Sequence, residues 1–215
     1  MQALIRRVPQ DGSTVDLQPL FFNFTLDAST ELLFGESADS QVPGSETGDK
    51  DLAEAFDYGL ATVKHRMFLG RLMPFHVDAK FQQACKTVRG FADRYVQRAT
   101  EYRRSLDAHP EKKEAKERYI FLNELAKSTR DPEVLRDETL HILYAGRDTT
   151  AGVLANTFHA LGRHPQVWKK LRDEVDTLGG VLPDYEAIRN MPYLKGVINE
   201  GKPACAPVTM LLQSC

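Results

Sequence analysis

Apolar positions in this chain recur every three or four residues, the spacing of amphipathic helices, and there is no convincing strand-like alternation. Phe21, Thr25, Ala28 and Leu32 step along one predicted face, and Gly35 stands where that helix would stop. Ser37 to Lys50 is polar, carries Pro43, Gly44 and Gly48, and reads as a loop. A helix is predicted from Asp51 to about Leu69, with Pro74 as a break beyond its end. Phe81, Cys85, Val88, Ala92, Tyr95, Ala99 and Tyr102 then hold one stripe for about six turns. Glu111 to Arg118 mixes charges of both signs and reads as a solvated segment, followed by a short helix near Tyr119 to Lys127. Asp131-Pro132 is a helix start, with proline at the first helical position, and the pattern runs on to about Arg163. Pro165 opens another helix, with Trp168, Leu171, Val175 and Leu178 on one side and Gly179-Gly180 at its end. A last helix begins near Met191-Pro192 and should turn Leu194, Val197 and Ile198 inward. No internal repeat interrupts this order, and the predicted class is all-α.

Composition adds exclusions. The 215 residues are 27% charged and 42% hydrophobic with a formal net charge of −2, which gives no basic excess for nucleic acid, so no nucleic-acid partner is expected. No run reaches the ~18 apolar residues of a membrane helix, and Met1 to Arg7 lacks the apolar segment of a signal peptide. Cys85, Cys205 and Cys215 are odd in number and widely spaced, so a disulfide framework is not expected and a reducing compartment is.

The long helix carries the candidate chemistry. Its interior contains Ala145-Gly146-Arg147-Asp148-Thr149-Thr150, where a glycine and adjacent β-branched residues each weaken a helix. At about 100° per residue, Leu135, Thr139, Ile142, Gly146, Thr149 and Val153 share a face. Gly146, without a Cβ, would let a flat ligand or a small gas molecule approach the backbone. Thr149 can bond a carbonyl one turn back, and a local bulge there would leave a groove with a free carbonyl and a hydroxyl. Asp148 lies roughly opposite Gly146, placed to relay protons or to anchor the bulge through a partner. His141 is within two turns of Asp148 on a similar side, where a structural contact is expected.

Ala145 to Thr150 resembles the oxygen-binding helix of the cytochrome P450 haem-thiolate monooxygenases, whose pattern is Ala/Gly-Gly-x-Asp/Glu-Thr-Thr/Ser. Leu161-Gly162-Arg163-His164-Pro165-Gln166-Val167-Trp168 resembles the family's junction with the next helix, and Leu171-Arg172-Asp173-Glu174-Val175 continues it. Met191 to Glu200 resembles the helix that bears Glu-x-x-Arg, and Phe24 to Gly35 resembles fungal members that hydroxylate alkanes and fatty acids. The resemblance implies the central part of that all-α fold, with a haem cofactor, dioxygen, an apolar small-molecule substrate and an NADPH-dependent flavoprotein reductase as partners. It implies that Ala145, Gly146, Thr149 and Thr150 line the cofactor. Thr149 would hold dioxygen and help pass protons, with Asp148 feeding them; Glu200 would be structural, and residues near Tyr58 to Pro74 would help roof the substrate channel. Intact relatives would sit at the endoplasmic reticulum membrane. This chain, without an anchor, would be cytoplasmic or unstable.

The family pattern then breaks. The arginine expected three residues after Glu200 is Pro203, and the Phe-x-x-Gly-x-Arg-x-Cys loop that supplies the iron ligand is missing. We therefore expect residues 1–200 to be part of a P450 domain, residues 201–215 to be a tail unlike the family, and these residues alone to be inactive. A non-catalytic helical module binding apolar ligands is the alternative. Gly196 to Lys202 has phosphate-loop spacing, but Pro203 stands where Ser or Thr is needed and no strand precedes it. His159 and His164 are not on one helix face, so no metal site is expected from them.

Overall fold

The computed structural model describes residues 2–42, 50–70, 78–108 and 119–201. In chain order these form α1 (Gln2–Arg6), α2 (Leu17–Phe34), α3 (Lys50–Leu69), α4 (Ala79–Ala108), α5 (Phe121–Ser128), α6 (Pro132–Arg163), α7 (Pro165–Asp176), α8 (Tyr185–Arg189) and α9 (Pro192–Gly201), with no strand among the described residues. The all-α expectation holds.

Local chemistry sets the helix ends. The Asp16 carboxylate accepts from the Gln18 N–H to start α2, and Asp131 does the same for Glu133 at α6, ahead of Pro132. Gly35 ends α2 at φ 84°, and its missing Cβ is needed twice over: one built there would lie 2.6 Å from Ile120 Cδ1. Asp184 caps the short α8 through the Ala187 N–H, an element the periodicity did not show because five residues are too few to carry a stripe. Residues 43–49, the 111–118 charge run and the tail beyond Gly201 lie outside the described residues.

Helices α2 to α6 form the packed body. Leu26 and Leu33 of α2, Leu52 and Phe56 of α3, Val88, Phe91 and Ala92 of α4, Leu122 of α5, and Leu135 and Leu143 of α6 join one core. The α4 stripe is in place: Val88, Ala92 and Ala99 are buried and Phe81, Cys85, Tyr95 and Tyr102 half-buried. The α2 face is rotated from the expectation. Phe21 and Thr25 are buried, but Ala28 and Leu32 are exposed, and Leu26, Thr30, Leu33 and Phe34 are inside instead. The cause is a second covering on the opposite side of the later turns: Phe34 packs on Phe91 and Tyr95 of α4, and residues 38–41 fold back over α2, where the Asp27 carboxylate accepts from the Ser40 and Gln41 N–H groups and Thr30 Oγ1 accepts from the Ala38 N–H.

Helices α7 and α9 lie beyond this body, packed against the later part of α6 and each other. The Glu174 carboxylate of α7 accepts from the Tyr193 and Leu194 N–H groups at 2.9 and 2.8 Å, supplying the first turn of α9 with the acceptors it lacks. Leu171 and Leu178 are half-buried, but Trp168 and Val175, expected on the same face, are exposed. In α9, Leu194 and Val197 are half-buried and Ile198 is exposed. Two neighbours cover too narrow an arc to bury a whole stripe.

Candidate active site

The shared face on α6 meets different surroundings along its length of ~48 Å. Leu135 and Thr139 are buried beside α4 and α5, Gly146 and Val153 are half-buried, and Ile142 and Thr149 are exposed. Periodicity assigns the angle around a helix; the neighbours decide whether that angle is covered. At the centre, Ala145 and Thr149 stand one turn apart on the open strip, with Thr150 exposed beside them. Gly146 sits on the flank toward α2, where a Cβ would meet only Ser29 Oγ at 3.7 Å.

The Thr149 hydroxyl donates to the Ala145 carbonyl at 2.6 Å. The helix runs unbroken from Pro132 to Arg163, so the bulge that this bond could have opened is not present. The hydroxyl shares the carbonyl with the helical ladder instead of displacing it. The Thr149 oxygen keeps lone pairs to accept a hydrogen bond from the open side. Asp148 is half-buried and lies 3.2 Å from Arg147 Nη1. His141 is exposed and faces Glu138 at 4.0 Å rather than Asp148.

Arg147 is the residue that sequence reasoning passed over. Its side chain is 1% exposed, with Phe22 of α2 and Phe56 of α3 each 5.2 Å from the guanidinium carbon. Nη2 lies 2.7 Å from Asp57 Oδ1 of α3, too far out of line for a hydrogen bond, and Nε has no partner among the described residues. The pairing is therefore mainly coulombic, with the two ring faces adding cation–π attraction. Phe56 also stacks on Tyr144 at 4.3 Å, and burial raises the Tyr144 phenol above its ordinary range, with a smaller contribution from Cys85. A sequence signal did exist: Arg147 continues the buried row Leu140, Leu143 and Ala151, where a charge demands a hidden partner.

On α3, the Tyr58 hydroxyl donates to Asp78 Oδ2 at 2.9 Å, and this bond raises the phenol. Of the predicted roof from Tyr58 to Pro74, residues 71–74 lie outside the described residues. Glu200 is exposed near the end of α9 and lines a cavity of about 510 Å³ with Leu161, Val167, Tyr193 and Val197. Gly201 comes so close to α6 that a Cβ would lie 2.7 Å from Thr157 Oγ1. Lys202, Pro203, Cys205 and Cys215 lie outside the described residues, and with them the end of the phosphate-loop spacing. Among the described residues no cluster of three or more His, Cys, Asp or Glu is placed to hold a metal ion.

Comparison with known proteins gives this geometry its context. Residues 1–201 match the family model described as Cytochrome P450. The chain is 39% identical to cytochrome P450 monooxygenase fsdH of Fusarium heterosporum, over 97% of this chain and 38% of that protein. It is 40% identical to cytochrome P450 52A1 of Candida tropicalis, over 93% of this chain and 39% of that protein. Cytochrome P450 monooxygenase himC of Aspergillus japonicus is 40% identical over 92% of this chain and 36% of its own length. The chain thus spans under two-fifths of the length of these curated relatives. On the family match and these identities, this chain belongs to the cytochrome P450 family, whose relatives are monooxygenases and whose cofactor is haem.

Proposed function

We propose that these residues build the oxygen-side wall of a haem pocket, in a protein that hydroxylates an apolar substrate of the alkane or fatty-acid class. The observation that carries this reading is the open strip at Ala145 and Thr149, which is uncharged and bears only short side chains, with Asp148 beside it. A flat porphyrin fits such a surface. The fit is one-sided, because the family's Phe-x-x-Gly-x-Arg-x-Cys pattern for the iron ligand does not occur in these 215 residues. We assign residues 1–200 to the P450 domain and 201–215 to a tail outside it.

A bound haem would supply dioxygen activation, placing one oxygen atom in a substrate C–H bond and the other in water, with electrons from a flavoprotein reductase. The residues here do the rest of the work on this wall. The Ala145 methyl and the flank at Gly146 leave room for the flat ligand. Thr149 Oγ1 accepts a hydrogen bond from the oxygen side and holds a proton there, while Thr150 borders the strip. The Asp148 carboxylate, 39% exposed, reaches solvent and can return that proton. Tyr58 to Leu69 of α3, with Gly70 after it, wall the substrate channel, and Glu200 serves α9 as a structural carboxylate.

The test is Thr149→Ala in the haem-loaded protein. Product formed per electron pair should fall at least about tenfold, with the lost electrons recovered as hydrogen peroxide. Unchanged product yield would overturn the assignment of Thr149. Residues 1–215 alone, reduced and exposed to carbon monoxide, should give no thiolate-type Soret shift; observing one would show that an iron thiolate lies within them.

A further inference from the structure

Arg147 is buried, and two carboxylates reach it from different helices. Asp57 approaches Nη2 from α3 at 2.7 Å, and Asp148 approaches Nη1 from the next position of α6 at 3.2 Å. Phe22 and Phe56 hold the guanidinium between them, so it has little freedom to turn toward one carboxylate and abandon the other. The Asp57 side chain is 64% exposed: the cation lies underneath and its counter-charge sits outside, on α3. The planar guanidinium fork spreads its charge over both terminal nitrogens, so it can hydrogen-bond Asp148 and face Asp57 at once, which the point charge of a lysine ammonium in the same space does less well.

We propose that Arg147 is a positioning residue, a buried guanidinium shared by Asp57 and Asp148, through which the seating of α3 sets the placement of the Asp148 carboxylate. Lifting α3 withdraws Asp57, and the guanidinium then draws Asp148 more strongly because no other carboxylate among the described residues is paired with it. The functional weight of that placement rests on the reading of Asp148 given above; the sharing itself does not.

The sharing is tested in the full chain by a mutant cycle, without haem. Asp57→Asn lies at an exposed side chain and should leave the chain folded. Asp57→Asn and Asp148→Asn should each lower Tm by a few degrees, and the double variant by more than their sum, because only the double leaves the buried cation with neither carboxylate. With Arg147→Met the excess should vanish; Arg147→Lys, which keeps the charge without the fork, should retain part of it and serves if the methionine variant does not fold. The carboxyl carbon resonance of Asp148, assigned by its loss in Asp148→Asn, should move on Asp57→Asn and move less with Arg147→Lys. Additive Tm losses, or an Asp148 resonance indifferent to Asp57, would overturn the proposal. In the haem-loaded protein, Asp57→Asn should lower product per electron pair, with no further loss on an Asp148→Asn background. Equal losses on both backgrounds would overturn the positioning role while leaving the shared ion pair intact. Unchanged product yield in Thr149→Ala would overturn the functional reading, and the Tm cycle would still decide the sharing.

Discussion

The α2–α6 body and the α7–α9 wing are built from similar helices but solve burial differently. In the body, each long helix meets at least two others, and Phe56, Leu26, Leu135 and Leu143 are sealed from solvent. In the wing, α7 and α8 bury no residue, and Trp168, Val175, Val181, Leu182, Tyr185 and Ile188 are exposed, Leu182 by 89%. Amphipathic sequence is thus no guarantee of a core. The number of neighbours decides how much of an apolar stripe is covered, and in the wing hydrogen bonds to the Glu174 carboxylate hold what packing does not.

Substitutions can break or sharpen that contrast. Phe56→Ala should cost about 3–5 kcal/mol in urea unfolding, because it opens a cavity in the body and removes the ring under Arg147 and Tyr144. A loss under about 1 kcal/mol would mean the body is no better packed than the wing. Gly35→Ala should cost about 1–3 kcal/mol from the left-handed backbone and the collision with Ile120, read as a lower Tm. Glu174→Gln should cost about 1–2 kcal/mol and speed amide exchange at Tyr193 and Leu194 first, the body being unchanged. The Tyr144 phenol, raised by burial, should ionise later than exposed tyrosines in an ultraviolet titration. Since its folded pKa is raised, its stabilising contribution is complete below the unfolded value near ~10 and is lost as pH rises through the folded one. Val175→Ala should change stability by no more than about 0.5 kcal/mol; a larger loss would show that the wing is covered in solution by something beyond α6 and α9.

Much of this organisation was legible in the sequence where local chemistry fixes it. Asp131-Pro132 marked the start of α6 and Gly35 the end of α2, because a cap and a left-handed turn are decisions of a few adjacent residues. The Thr149 bond to the Ala145 carbonyl was legible for the same reason. Faces were less so. The α2 stripe failed at Ala28 and Leu32 because α4 and residues 38–41 cover the opposite side of the later turns, which no count along α2 can reveal. Arg147 was hidden for a further reason. Its burial depends on Phe22, Phe56 and Asp57, all at least 90 positions earlier, and on charge alone such a residue belongs outside.

The Glu174 grip on α9 has a mechanical outcome. Both carboxylate oxygens take hold of successive amides at one end of a ten-residue rod, and Glu200 rides at the other. With Gly201 pressed on Thr157 of α6 at that far end, the rod is pinned at both ends, and Glu200 is held in place by α7 and α6 together.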